Sequence, residues 1–530
     1  MCIRDSRGWP LATGRGPARL GRLSGPRPAR RQVSRGRRQG RHLSPPLVRL
    51  LLLTAAISSC VGLVLELLLV AQASYLVGDA ALATGVVVGT FLAARGLGAW
   101  LSQFLATGAD PQRQLLRALL LEELGLSPLS LLGPLALFAL FAVVGPIWLA
   151  VVLLTVLVGV LGGMELPLIT RLLESQQQLR TALARVLALD YMGALAGALL
   201  FPLVLLPWLG LLPTAAALAV VPLVTSALLV WWFPALRRWR WPLSAAVPLV
   251  GLAGVLVGPL GDRIEDTLYA DPVVGRVQSR HQRIVLTRRR GDLRLYLDGS
   301  LQFSSLDEYR YHEALVHPAM ALHGSPRRVL LLGAGDGLAL REVLRWPAVR
   351  QVDVLELDPA MLDLARRHPV LRRLNEGSLA DPRVRVHVGD AFARVAELDG
   401  PYDVVIADFP DPATAAVARL YSVGFYGRLQ QRLAADGLLV TQASTPFFTP
   451  RVLASIQASL DHLGLRTRAY SVTVPSFGPW GFVLAHRPGP ERSFAELPFR
   501  GRWVDATELA RLFELPRDLR PNPGEAVLPN

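Results

Sequence analysis

Lysine is absent from the 530-residue chain, and all 56 basic residues are arginine. We read this as the coding bias of a G+C-rich genome, without functional content. Cysteine is scarce: Cys2 lies in a polar tail and Cys60 in an apolar run, so no disulfide framework is implied. Acid is nearly missing at the start, where residues 1–49 hold 13 arginines against Asp5. That segment carries +12 of the formal +15, and the remaining 43 basic and 40 acidic residues almost cancel. The basicity belongs to a tail and gives no ground for a nucleic-acid partner. His317, His323 and His368 lack metal-ligand spacing, and no metal is expected.

What is abundant is apolar sequence, concentrated before about residue 260. Residues 1–46 are rich in Arg, Gly, Pro and Ser without periodicity, which predicts a disordered tail. Its opening, Met1 to Ser6, reads like a translated sequencing adapter, so the true start is expected further in. Residues 47–260 hold runs long enough to cross a bilayer, which takes about 20 residues. About seven spans are predicted, at 47–72, 82–106, 115–143, 146–169, 187–210, 214–233 and 243–260. The first is too long and uninterrupted for a removable signal peptide.

The connections near Arg113/Arg117, Arg171/Arg180/Arg185 and Arg237/Arg238/Arg240 alternate with nearly uncharged ones. By the positive-inside rule they face the cytoplasm, with the N-terminus. Seven crossings would then put the soluble half outside. Two features could restore a cytoplasmic soluble half, which is the expectation: a re-entrant last span, or two passes within the long third one. Glu66, Glu122, Glu123, Glu165 and Asp190 fall inside the spans, where carboxylates are costly. Pairing with Arg95 or Arg185 is the favoured reading, and a transported ligand the alternative.

The soluble half begins near Asp271. Residues 271–303 alternate in short strands, with Asp298-Gly299 marking a hairpin, and predict a small β-subdomain. A helix is predicted near Tyr309–His323. Residues 304–490 then alternate strands and helices, which predicts an open, mostly parallel, Rossmann-like (class I methyltransferase-like) α/β sheet closed by a hairpin. The chain is thus read as a multi-span α-helical membrane domain, a small β-subdomain and this α/β domain. Residues 491–530 form a Pro-rich extension.

The βαβ unit opens with Arg328-Val-Leu-Leu-Leu-Gly333-Ala-Gly335-Asp336-Gly337 and ends its second strand on Glu356. Glycines at this spacing let the backbone come close to a ligand, and Glu356 suits two ribose hydroxyls. Asp390 follows the next strand and suits an adenine amino group. Asp408-Phe-Pro-Asp411-Pro412 follows the one after.

With Gln282, Leu297-Asp-Gly299…Gln302, Asp307-Glu-Tyr-Arg-Tyr-His-Glu313, Thr441-Gln442 and Trp480-Gly-Phe482, these motifs resemble spermidine synthase, the polyamine aminopropyltransferase family, in its membrane-embedded branch. The resemblance implies transfer of an aminopropyl group from decarboxylated S-adenosylmethionine to a polyamine such as putrescine, with no permanent cofactor. It implies that Gln282, Gln302, Gly333, Gly335, Asp336, Glu356, Asp390 and Ala391 hold the nucleoside sulfonium. His312, Asp336, Asp408 and Asp411 would line the polyamine channel, with Asp408, Asp411 and Tyr311 catalytic. A multi-pass protein of a bacterial inner membrane follows, with the catalytic domain cytoplasmic, as a homodimer or homotetramer. His281 stands where the family usually has Tyr, Leu338 where Gly is common, and Phe409, Pro410 and Ala415 alter the catalytic loop.

The residue types suit that chemistry on independent grounds. A sulfonium leaves as a neutral thioether and needs no general acid, whereas an alkylamine costs about 4–5 kcal/mol to deprotonate at pH 7. Asp408 is therefore expected to orient the amine and receive its proton during transfer. A methyltransferase on the same sheet, and a membrane transporter or sensor without turnover, are the alternatives.

Overall fold

The computed structural model describes residues 44–522 except 78–79, 109, 145–146 and 175–177, together with 524 and 526. The predicted tail therefore lies outside the described residues except for its last three positions, and of these Pro45 and Pro46 already belong to a helix.

Among the described residues, seven helices are long and apolar enough to cross a membrane. They are α1 (Pro45–Val77), α2 (Ala80–Leu101), α3 (Pro111–Val144), α4 (Trp148–Glu174), α5 (Leu179–Leu200), α6 (Leu211–Trp232) and α7 (Arg240–Asp266). Two expectations are corrected. The long third segment is one helix that absorbs Pro128 and Pro134 and does not hide two passes. The last is longer than expected: it runs 27 residues and turns Leu249, Leu252, Val255 and Leu256 outward. Outward apolar side chains suit a helix solvated by lipid, where only internally satisfied backbone is stable. Small residues let helices touch. A Cβ on Gly163 of α4 would sit 2.2 Å from the Arg95 carbonyl of α2, and one on Gly193 of α5 would sit 2.0 Å from that of Ala56 on α1.

The β-subdomain is an antiparallel meander of β1 (Val273–Gln278), β2 (Arg283–Arg289), β3 (Asp292–Leu297) and β4 (Ser300–Ser304). Asp298 and Gly299 both take positive φ, +47° and +82°, the two-residue hairpin that their sequence predicts. Arginines from this sheet grip the end of α7. Arg283 Nη2 reaches Glu265 Oε2 at 2.6 Å, and Arg276 pairs with Asp262, Glu265 and Asp266. Tyr75 of α1 donates to the same Glu265 at 3.2 Å. The described residues consequently pack as one compact unit.

The second sheet holds β5 (Arg328–Gly333), β6 (Gln351–Glu356), β7 (Val384–Val388), β8 (Tyr402–Asp408), β9 (Leu433–Gln442), β10 (Arg466–Val474) and β11 (Gly478–His486), in the order β10-β11-β9-β8-β5-β6-β7. Strands β5 to β9 run parallel, and the β10–β11 hairpin joins antiparallel to β9. The central parallel strands β5, β6 and β8 are buried on both faces, while the edge strand β7 is partly exposed. Val329 and Leu331 of β5 enter one core with α8 (Glu308–His323) and α9 (Leu338–Leu344), while Leu330 and Leu332 enter the other with the helix Val423–Arg432. Period-2 alternation thus feeds two cores. Because β5 lies between β6 and β8, the chain order reverses there, and a crevice opens at the carboxyl ends of these strands.

The C-terminal extension, about which the sequence says little, is an integral part of the core. Val504, Leu509 and Leu512 join it. The carboxylate of Glu313, buried on α8, accepts the backbone N–H groups of Arg502, Trp503 and Val504 at 2.7–2.9 Å. Glu313→Ala leaves these donors without their acceptor and is expected to cost about 3 kcal/mol. The check is limited proteolysis with a thermal melt in detergent: cleavage should appear between residues 491 and 522 before the rest of the chain is cut.

Candidate active site

The site is built around the turn that follows β5. Gly333 lies opposite Asp408 in the β5–β8 register, and a Cβ there would meet the Asp408 carbonyl at 2.1 Å. Gly335 presses on the second acid, since its Cβ would lie 2.7 Å from Glu356 Oε2. These two glycines let one backbone turn touch the Asp408 main chain and the Glu356 carboxylate at once.

Every residue expected in the site lines one cavity of about 1280 Å³: Gln282, Gln302, Tyr311, His312, Gly333, Gly335, Asp336, Glu356, Asp390, Ala391, Asp408 and Asp411. Glu356 accepts the Asp358 N–H through Oε1 at 2.9 Å, and burial pushes its pKa up to about 7, helped by the charges of Asp358 and Asp336. Asp336 accepts the Leu338 N–H at 2.9 Å and is also raised by burial. Gln282 donates to Asp358 at 3.0 Å, and Gln302 to the Ser300 carbonyl at 3.2 Å. Asp390 caps the turn at Phe392 N (2.9 Å) and pairs with Arg419 at 2.5 Å. Its carboxylate thus already has partners, and an adenine amino group would share them.

The reactive end gathers Asp408, Tyr311, His312 and Asp411. The Tyr311 hydroxyl donates to Asp408 Oδ1 at 2.6 Å, across 97 residues of chain. Burial lifts the Asp408 pKa to about 6, Asp336 adds to the rise, and His312 and Tyr311 oppose it. In the fold Asp408 is a stronger proton acceptor than a carboxylate of ordinary basicity. Asp411 is likewise raised by burial, while Ser444, which donates to it at 3.2 Å, works the other way. Phe477, Trp480 and Phe482 surround the Tyr311 ring.

Three supporting residues escaped the sequence reading. Glu308, fully buried, accepts from His312 Nδ1 at 2.9 Å and from Arg341 at 3.0 Å. Burial alone would depress His312, but the hydrogen bond to Glu308 and the charges of Glu308, Asp336 and Asp408 carry it to about 9. His312 is therefore a cation at neutral pH, set between two acids. Tyr421 donates to the Phe409 and Pro410 carbonyls at 3.1 and 2.9 Å, and Gln442 Nε2 to Phe409 at 2.7 Å. Together they hold the loop that carries Asp408 and Asp411. Glu308 and Gln442 stand inside quoted motifs, so proximity to named residues was the available signal; Tyr421 offered none.

The cavity also extends beyond the α/β domain. Ser74 and Tyr75 of α1, Leu206, Leu212 and Glu265 line it as well, so helix ends from the apolar half close one side. His323, the last residue of α8, lies elsewhere, with Nε2 4.0 Å from Asp403 and 3.7 Å from Asp436. Sequence spacing did not reveal that grouping.

A glycine turn, a ribose-type acid and an acidic channel at a switch point define the class of nucleoside-sulfonium transferases. Comparison with known proteins narrows it. The family model for the spermine/spermidine synthase domain matches residues 308–490. Polyamine aminopropyltransferase 1 of Streptomyces coelicolor is 42% identical over 496 residues, covering 89% of this chain and 90% of that protein. Polyamine aminopropyltransferase 2 of Ralstonia nicotianae is 40% identical, with 91% and 95% covered. The polyamine aminopropyltransferase of Leptospira interrogans is 37% identical, with 88% and 93% covered. The solved spermidine synthase of Thermotoga maritima is 27% identical over 47% of this chain and 87% of its own, with a TM-score of 0.43. The chain belongs to the polyamine aminopropyltransferase family, and the likeness to its relatives takes in the apolar half.

The charge on His312 is testable by itself. Its folded pKa of about 9 exceeds the unfolded value, so its contribution to stability is complete below about 6.5 and is lost as pH rises through 9. Histidine-selective NMR of wild type should show one imidazole titrating near 9, and Glu308→Gln should move that resonance's midpoint downward. An unmoved midpoint contradicts the assignment.

Proposed function

We propose that the protein is a membrane-anchored enzyme that transfers the aminopropyl group of decarboxylated S-adenosylmethionine to a polyamine, with putrescine as acceptor. The observation that carries this reading is the Tyr311–Asp408 pair beside cationic His312, facing Asp336 across the glycine turn in a cleft that Glu356 completes.

Glu356 would accept from the ribose hydroxyls and Asp390 from the adenine amino group, which puts the sulfonium over the turn. Asp336 would hold the ammonium end of the aminopropyl group and repel the carboxylate of ordinary S-adenosylmethionine. The acceptor amine lies between Asp408 and Asp411, with aromatic rings along its methylenes. Its lone pair attacks the propyl carbon bonded to sulfur. The C–N bond forms, the C–S bond breaks, and sulfur keeps the pair as neutral methylthioadenosine. The acceptor arrives as an ammonium; Asp408 takes one of its protons as the C–N bond forms and passes it to solvent, and the product leaves as a secondary ammonium. A carboxylate with a pKa of about 6 accepts it more readily than one of ordinary strength, and Tyr311 holds its orientation.

Purified protein supplied with decarboxylated S-adenosylmethionine and putrescine should release methylthioadenosine and spermidine, read by mass spectrometry. S-adenosylhomocysteine formed from S-adenosylmethionine, with no methylthioadenosine, overturns the reading in favour of methyl transfer. Asp408→Asn should lower kcat roughly 10²–10⁴-fold. Because Asp408 must be ionised, kcat/KM should rise as pH passes about 6. In Tyr311→Phe that limb should move upward, since the lost hydrogen bond favoured the ionised form.

We place the active site on the cytoplasmic face of a bacterial inner membrane, where the sulfonium cosubstrate is made. Seven crossings would then set Arg113, Arg171 and Arg237 on the outer side, against the positive-inside bias. Supply of cosubstrate is the stronger constraint, because without it no turnover occurs. A C-terminal green fluorescent protein fusion should fluoresce; an active alkaline phosphatase fusion at the same point reverses the orientation.

A further inference from the structure

Four of the apolar helices carry acids on their inner sides: Glu66 on α1, Glu122 and Glu123 on α3, Glu165 on α4 and Asp190 on α5, each at most 9% exposed. Arg95 on α2 is the cation within electrostatic reach of Glu66, Glu122 and Glu165, and it pairs with Asp190 at 3.7 Å. Four carboxylates thus share one guanidinium. Glu123 has Ser58 as a donor at 2.9 Å. Glu122, only 3% exposed, has no hydrogen-bond partner on either oxygen, and Glu165, 5% exposed, has none on Oε1. Buried carboxylates without partners are expensive in any low-dielectric interior, so this cluster favours a positive species beyond the one that the described residues place beside it.

We infer that the membrane helices hold a second binding site, for a linear polyamine, formed by Glu66, Glu122, Glu165 and Asp190. The amine's identity rests on the function proposed above. The disposition of the acids favours such a ligand over a single ion. Among the described residues, no three of these carboxylates come close enough together to enclose one metal. Apolar Phe91, Leu126 and Val158 belong to the core beside them, which suits methylenes between ammonium groups. The site also lies near the catalytic cleft. Ser74, which lines that cleft, follows Glu66 by eight residues on α1, about 12 Å along the axis. Ser58, which holds Glu123, lies sixteen residues before Ser74, about 24 Å along the same helix, so the cluster and the cleft are joined by the length of α1.

The test uses the full-length protein in lipid nanodiscs with radiolabelled spermidine. Wild type should bind two spermidines per chain. The isosteric double variant Glu122→Gln/Glu165→Gln should bind one, with methylthioadenosine production within twofold of wild type. An unchanged stoichiometry in the double variant overturns the inference. A second measurement needs no variant: dicyclohexylcarbodiimide, which attacks protonated buried carboxyls, should label Glu122 or Glu165, and spermidine should protect them. Equal labelling with and without spermidine also overturns the inference, and assigns the cluster to protons alone. Absence of transfer activity in wild type would sink the proposed function instead; the loss of one spermidine between wild type and the double variant, and the protection from labelling, do not depend on it.

Discussion

The backbone of the turn after β5 touches the carbonyl of Asp408 on one side and the carboxylate of Glu356 on the other. No side chain larger than hydrogen fits at Gly333 or Gly335 without moving a strand end. This close approach fixes the distance between Glu356 and Asp408 across the cleft, because both are referenced to the same few backbone atoms. The central strands of the parallel sheet beneath, buried on both faces, keep that reference rigid.

A second constraint is electrostatic. Asp336, Asp408, Asp411 and Glu356 crowd one cavity, and burial raises each of them. Left alone, such a set would take up protons and lose its affinity for cationic substrates. His312, kept positive by Glu308, offsets part of that tendency next to Asp336 and Asp408. Glu308 in turn shares Arg341 with Glu342, so the charge of the site is tuned by a buried network one layer away. The result leaves Asp408 between an ordinary carboxylate and a strong base, a useful position for catching a proton as a C–N bond forms.

The apolar half meets this site through a few charged side chains. Glu265 at the end of α7 takes both Arg283 of β2 and Tyr75 of α1, tying the subdomain that carries Gln282 to two long helices. Helix ends then complete the wall of the cleft.

Much of this was legible in the sequence because it depends on neighbours along the chain. Apolar run length announced the long helices, and Asp298-Gly299 announced its hairpin. Glycine spacing with acids at successive strand ends announced the sheet and the turn and strand-end residues of the cleft, whereas Gln282, Gln302, Tyr311 and His312 were implied only by the family resemblance. What the sequence could not disclose depends on groups far apart in the chain. The hydrogen bond from Tyr311 to Asp408 spans 97 residues, and Glu313 reaches 189 residues to hold the C-terminal segment. The continuity of α3 through two prolines, the basicity of Asp408 and the share of the cleft taken by α1 and α7 also came from packing. Local propensity and periodicity are properties of a segment, and the chain states them outright. A pKa, a cavity wall or a cross-chain hydrogen bond depends on which segments the tertiary fold brings within a few ångströms.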